Sequence, residues 1–135
     1  MELTFAMIKP DAVAAKNAGK IIDLIEQNGF EIVGMKKMNF SKELAEKFYD
    51  VHREKPFFGA MTTFITSGPV VAMVLKKDNA IADWRKLIGA TNPAQADVGT
   101  IRKMYGKNID NNAAHGSDAT ETASREIALI FPELK

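Results

Sequence analysis

Cysteine is absent from the 135 residues, which excludes disulfides, thiolate-held metals and cysteine nucleophiles together. An excess of one charge is absent too: 18 Lys and Arg stand against 17 Asp and Glu, a net charge of +1. No broad field therefore advertises nucleic acid or an anionic membrane, and any anionic ligand must be held by a local cluster. Apolar runs are short. The longest uncharged one, residues 69–75, falls far below the roughly 20 residues a membrane helix needs. The opening MELTFAMIKPDA carries no basic segment ahead of its apolar stretch, so it does not read as a secretory signal. A cytoplasmic protein with no membrane partner is the expectation. G-x-x-x-x-G-K-[ST], G-x-G-x-x-G and the H-R-D with D-F-G pair are missing as well, which removes P-loop, dinucleotide-fold and protein-kinase machinery.

What is present is an ordinary globular composition, 46% hydrophobic and 26% charged, which argues against disorder, collagen-like repeats and coiled coil. The length predicts one domain over residues 1–135, burying roughly two-thirds of the unfolded chain's surface. Leu3 to Lys9 reads as a buried strand stopped by Pro10. Ala18, Ile21, Ile22 and Ile25 fall at helical spacing, with Asn17 as N-cap and Gly29 just past the end. Phe30 to Phe40 alternates at its beginning and fits a partly exposed strand. Ser41 caps a further helix whose buried stripe is read as Leu44, Phe48 and Val51, with Tyr49 and His52 at its edge.

A short helix over Ala60–Ile65 follows, then Val70 to Leu75, a run covered on both faces in the manner of a central strand. Asp78 opens a helix through Ala80, Ile81, Trp84, Leu87 and Ile88, closed by Gly89. Residues 90–112 break into an irregular stretch with one helical piece near Thr100–Met104, and so long a connection is usually functional. Ala113–His115 reads as a very short strand, and Asp118 with Glu121 makes a capping box for a last helix. That order of elements suggests an α+β domain with helices on an antiparallel sheet.

Only two histidines exist, His52 and His115. His115 lies in NNAAHGSD: two alanines imply close packing, Gly116 permits an unusual backbone angle, and Ser117 and Asp118 lead into a helix N-terminus. An imidazole on such a turn is well placed to meet a phosphate, and, being largely neutral near pH 7, attacks without a separate base. In the last helix Glu126 shares the apolar face of Ala119, Ala123, Ile127 and Ile130, and side chains there lean back toward His115. A carboxylate on an inward face needs a partner, so Glu126 and Ser117 are candidates to orient the ring. Phosphate-binding candidates are scattered: Lys9, Arg85, Thr91 and Arg102.

Taken together, IKPDAV at residues 8–13, KPFF at 55–58, SGPVVAMV at 67–74, TNP at 91–93, GTIR at 99–102 and NNAAHGSD at 111–118 are similar in order and spacing to the nucleoside diphosphate kinase family, over essentially the whole chain. The resemblance implies a ferredoxin-like βαββαβ antiparallel sheet with flanking helices and an extra terminal helix. It also implies ping-pong exchange of the γ-phosphoryl group between nucleoside tri- and diphosphates. His115 matches the phosphorylated nucleophile, accepting through Nδ1. Phe57 matches the aromatic that stacks on the base, with Ile109 against its other face; Lys9 and Asn112 match residues holding the sugar 3′-hydroxyl. Arg85, Thr91 and Arg102 match the phosphate clamp, and His52 falls where some members place a phosphate-contacting histidine. Tyr49, Ser117 and Glu126 match the supporting shell. Mg²⁺ would ride on the nucleotide phosphates, with no metal site of the protein's own, and the family's assemblies are dimer-based tetramers or hexamers. Ala90 and Asn111 depart from common versions of the motifs, and FPELK stands in place of a longer tail. Against this reading stand a non-catalytic binding protein, which near-zero net charge disfavours for nucleic acid, and a histidine phosphocarrier serving a protein acceptor.

Overall fold

The computed structural model describes residues 1–134. Its centre is a pair of antiparallel strands, β1 (Glu2–Ile8) and β3 (Val70–Lys77), in register from Glu2 opposite Lys77 to Ile8 opposite Val71. Both are buried on each face, the reason their sequences run apolar without alternation. Phe5 and Met7 join Phe48, Ile65 and Ile130 in one core; Ala6 and Ile8 join Ile21, Ile25, Trp84 and Ile88 in the other. Full burial of a large side chain contributes about 1.5–3 kcal/mol, and Trp84, Phe5 and Phe48 are among the largest that are wholly enclosed. Strand β2 (Glu31–Met38) flanks β3 antiparallel with an irregularity between Ile32 and Gly34, and its residues alternate between exposed and half-buried as an edge requires. The short β4 (Ala114–Gly116) flanks β1, giving the order β2-β3-β1-β4. Helices flank this four-stranded antiparallel sheet in the expected ferredoxin-like α+β arrangement.

Helix α1 (Pro10–Ala14) was not expected. Pro10 does end the strand, but it sits at the first helical position, where its missing N–H costs nothing, with Lys9 extended before it at ψ 165. Helix α2 (Ala18–Gln27) packs Ile21 and Ile25 inward, and Gly29 follows it at φ 86. Helix α3 (Lys42–Phe48) is capped by the Ser41 hydroxyl accepting from the Leu44 N–H at 3.0 Å. It ends earlier than its apolar spacing suggests, the chain tightening to a 3₁₀ turn at Asp50–His52. The changed period reverses two expectations: Val51 points to solvent, 69% exposed, while Tyr49 is buried.

Helix α4 (Phe58–Ile65) starts two positions before the expected Ala60. Helix α5 (Ala80–Ile88) begins after Asn79, which is left-handed at φ 58, and the Glu2 carboxylate accepts from the Ile81 N–H at 2.9 Å. A side chain from the first strand thus does the capping expected of Asp78. A 3₁₀ turn (Pro93–Gln95) and helix α6 (Ile101–Tyr105) interrupt the irregular stretch. Helix α7 (Thr120–Ile130) has Ala119 at its N-cap, with no side-chain capping bond, so Asp118 stands one residue ahead of the capping position.

The short strand β4 is set by a close approach. A Cβ on Gly116 would stand 2.7 Å from Trp84 Cδ1, so only glycine lets the indole lie against this strand. Gly116→Ala should lower unfolding free energy by about 1–3 kcal/mol, the usual cost of overpacking. Gly19→Ala, on α2 with open space around it, should instead gain about 0.4–1 kcal/mol. Urea denaturation of both variants measures the contrast, and coincident midpoints would remove the account given for Gly116.

Candidate active site

Strand β4 places His115 opposite Met7 of β1. Cross-strand partners share a face, so the imidazole lies on the Phe5 and Phe48 side, its centroid 6.1 and 5.2 Å from theirs. Helix α7 covers the same face and brings Glu126 back toward it. One carboxylate oxygen, Oε2, lies 3.1 Å from His115 Nε2, and the other, Oε1, accepts from the Ser117 hydroxyl at 2.7 Å. Glu126 is 3% exposed and Ser117 wholly buried. An ionised carboxylate only accepts, so Nε2 carries the proton and donates it. Nδ1 keeps its lone pair, has no partner among the described residues and is open to solvent. Burial, with the charge of Glu126 behind it, pushes the Tyr49 phenol far above its ordinary pKa; Tyr49 is a neutral wall here.

The backbone around the ring is braced at every step. Trp84 Nε1 donates to the His115 carbonyl at 3.0 Å, and Arg102 donates to the Ala114 carbonyl at 2.9 Å and to the Gly89 carbonyl at 3.0 Å. Just upstream, Ala113 adopts φ 75, and the Ala114 N–H bonds to the Asn112 carbonyl at 2.9 Å. That closes a γ-turn of the rare, strained hand. A side chain held so costs roughly 1–3 kcal/mol and persists only where its surroundings over-determine it. The unusual angle expected of Gly116 therefore falls on Ala113: Gly116 has no positive φ, and its lack of a side chain serves Trp84. The close packing implied by the two alanines is present, both being fully buried.

Cationic side chains gather beside this turn. Lys9 Nζ donates to Asn112 Oδ1 at 2.9 Å, and Asn112 Nδ2 donates to the Thr91 carbonyl at 3.0 Å. A strand end, the loop before β4 and the TNP segment are thereby tied together. Burial first, and Arg102 next, lower the Lys9 pKa from 10.5 to about 8, against Asp11 and Asp110. Its folded value lies below its unfolded one, so its cost to stability is full below about pH 8 and fades as pH rises toward 10.5. Burial and then Arg85 lower Arg102 to about 10; it stays charged at neutral pH with Nε buried and unpartnered. Arg85 is exposed on α5, and its charge also reaches Asp118. Cations packed closely enough to depress one another make a place for a polyanion.

Farther out, His52 and Phe57 pair with ring centroids 5.6 Å apart, His52 Nδ1 being buried without a partner. Phe57 is 46% and Ile109 56% exposed, so both offer apolar surface to a ligand. A hollow of about 570 Å³ is lined by Glu2, Arg85, Asp118 and Thr120, and one of about 360 Å³ by Phe30, Lys77, Lys86 and Thr100. His115 lines neither, so side-chain chemistry rather than concavity marks the site. Two contributors escaped the sequence reading: Trp84, which looked like core alone, and Asp11, whose carboxylate accepts from the Ala113 N–H at 3.1 Å. Asp11 announces itself only as an acid in a helix's first turn.

A family model described as nucleoside diphosphate kinase matches residues 2–135. The chain is 59% identical, over its whole length and 98% of the relative's, to a protein of Pelobacter propionicus named nucleoside diphosphate kinase. A Geobacter sulfurreducens protein of the same name is 53% identical over the same shares. Among solved structures, the Aquifex aeolicus nucleoside diphosphate kinase superposes with a TM-score of 0.97 at 43% identity, over 98% of this chain and 96% of that one. A halophilic nucleoside diphosphate kinase from Halobacterium salinarum, in complex with CDP, gives 0.93 at 45% identity, over 96% and 87%.

Ser117→Ala tests the buried triad directly. It strips one oxygen of the buried Glu126 carboxylate of its donor, and should cost about 1–3 kcal/mol of stability, read by urea denaturation. An unchanged midpoint would mean that the carboxylate is not held there by the hydroxyl.

Proposed function

Because this chain belongs to the nucleoside diphosphate kinase family, we propose that it moves the γ-phosphoryl group from a nucleoside triphosphate to a nucleoside diphosphate by way of a phosphohistidine at His115. One observation carries the reading: Glu126 holds Nε2 and leaves Nδ1 without a partner, on a strand whose approach is gripped by Lys9 at Asn112 and by Arg102 at the Ala114 carbonyl. In the first half-reaction the Nδ1 lone pair attacks the γ-phosphorus. An N–P bond forms as the bond to the bridging oxygen breaks, and the diphosphate leaves with those electrons. The proton stays on Nε2, where the Glu126 carboxylate balances the charge that develops on the ring. A second diphosphate then attacks phosphohistidine through its terminal oxygen, and the ring returns to its starting state.

Phosphoryl transfer asks for positioning and charge neutralisation rather than elaborate covalent machinery. Arg85, Arg102 and Thr91 are assigned to the phosphates together with His52, and Lys9 and Asn112 to the sugar hydroxyl, Lys9 also nearing the moving phosphate. Phe57, with Ile109 opposite, takes the base. Stacking is worth roughly 1–3 kcal/mol and accepts every base because each has a π-face, so broad base tolerance belongs to the proposal. Mg²⁺ would be held by the phosphate oxygens of the nucleotide, beside the cations of Arg85 and Arg102. Bound so, the ion would supply further neutralisation of the polyphosphate charge. Maintenance of nucleotide pools in the cytoplasm and assembly from dimers into tetramers or hexamers are part of the same reading. The open edge of β2, with Val33 and Met35 exposed, supports a surface for a second copy.

Incubation with Mg·ATP should give an acid-labile, base-stable phosphate on the wild type and none on His115→Ala. Label retained in that variant removes the mechanism. Discharge of the phosphoprotein by ADP, GDP, CDP and UDP at comparable rates supports the nucleotide role, whereas dependence on a protein acceptor supports a relay. Gel filtration of the same sample reports the assembly.

A second expectation concerns pH. Lys9, lowered to about 8 chiefly by burial, loses its charge in the free protein as pH rises through that value, so kcat/KM for the triphosphate should fall on the alkaline side of about 8. Lys9→Arg keeps its proton throughout the accessible alkaline range and should move that limb upward whatever its absolute rate. An alkaline limb identical in both proteins would detach it from Lys9.

A further inference from the structure

The strained turn before the nucleophile survives because something holds it, and the contacts name what does. Ala113 is left-handed at φ 75, and no glycine relieves it. Its carbonyl accepts from the Lys9 N–H at 2.8 Å, and its own N–H donates to Asp11 Oδ2 at 3.1 Å. Both grips come from the junction of β1 with α1. Pro10 fixes that junction, which puts Lys9 and Asp11 on either side of one rigid residue. The grip on the carbonyl is main-chain and survives any substitution. The grip on the N–H depends on one side chain.

We propose that Asp11 is a positioning residue for His115: its carboxylate pins the N–H of Ala113 in the left-handed turn and so sets where β4 and its histidine leave the loop. The path from Asp11 to the ring is short. Ala113 precedes Ala114, whose carbonyl Arg102 holds, and then His115, whose carbonyl Trp84 holds. If the turn relaxes toward negative φ, the peptide before Ala114 rotates. The imidazole then swings relative to Glu126, which is fixed separately by Ser117. Reacting groups must be aligned closely, and a displacement of about 1 Å can cost a hundredfold in rate. Asp11 touches neither nucleotide nor phosphate in this account; it acts through the backbone.

This inference rests on the phosphohistidine reading, and the test separates the two. Single-turnover phosphorylation by Mg·ATP is followed by quenched-flow, with nucleotide affinity measured by ADP titration. Asp11→Ala should slow phosphohistidine formation roughly 10- to 100-fold and leave ADP affinity within about twofold. Asp11→Asn, whose amide oxygen accepts the same bond, should recover most of the rate. The decisive protein is the double variant Asp11→Ala/Ala113→Gly. Glycine adopts positive φ without the penalty, so the turn no longer needs the carboxylate and the rate should return. If Asp11 merely supports the fold or tunes the charge of Lys9, glycine at 113 restores nothing. Wild-type speed in Asp11→Ala, or no rescue in the double variant, overturns the proposal while the histidine chemistry stands. A wild type that forms no phosphohistidine overturns the reading beneath it. Should Asp11→Ala fail to fold, Asp11→Asn with and without Ala113→Gly carries the comparison: its rate should stay near wild type in both, and a loss that glycine does not relieve counts against the turn.

Discussion

The site depends on one buried carboxylate having two donors. Glu126 lies on the inward face of α7, where an unpaired charge would be costly. It is satisfied by the Ser117 hydroxyl on one oxygen and His115 Nε2 on the other. That arrangement decides which ring nitrogen carries the proton. It also locks the plane of the ring between Phe48 and the carboxylate, so the free nitrogen is Nδ1. Were Nδ1 rather than Nε2 the donor to Glu126, the same residues would stand in the same places with the free lone pair on the other nitrogen. The chemistry of the site is thus written in a hydrogen bond more than in the identity of the histidine.

Around that pair the protein combines rigidity and strain. Trp84 and Arg102 hold consecutive carbonyls of β4, and Asp11 and Lys9 hold the two polar groups of Ala113. Gly116 is small so that Trp84 can lie close, and Ala113 bears the unfavourable angle. Arg102 is shared between structure and charge: its terminal nitrogens brace backbone carbonyls while its guanidinium lies in the cationic cluster. The cations repel one another, and under the proposed function a polyphosphate would relieve that repulsion. Pre-organisation of this kind lowers the cost of arranging charge at the moment of transfer.

Much of this was legible in the residues themselves. The double burial of β1 and β3 follows from apolar runs that do not alternate, and the half-exposed β2 follows from one that does. Glu126 stood out as an acid on an apolar stripe, and the helical lean toward the N-terminus pointed it at His115. Where the reading failed, a local rule was overridden by a neighbour. Val51 left the core because α3 tightens to 3₁₀ geometry, and the capping box failed because α7 starts at Thr120 with Ala119 as its N-cap. Asp78 yielded its capping role to Glu2. Pro10 opened a helix as well as closing a strand, a double meaning that its chemistry allows.

The sequence by itself determined the class of the fold, the absence of disulfide or thiolate chemistry, and the short roll of polar residues from which a site could be drawn, because composition and period are local properties. Only the tertiary structure decided that Lys9 meets Asn112, that Asp11 meets Ala113 and that Nε2 rather than Nδ1 meets Glu126. The first two of these join residues 103 and 102 positions apart. No spacing rule reaches that far: such contacts exist because a sheet order of β2-β3-β1-β4 sets the first strand beside the last, and the left-handed turn of Ala113 is stable only once that neighbour is in place.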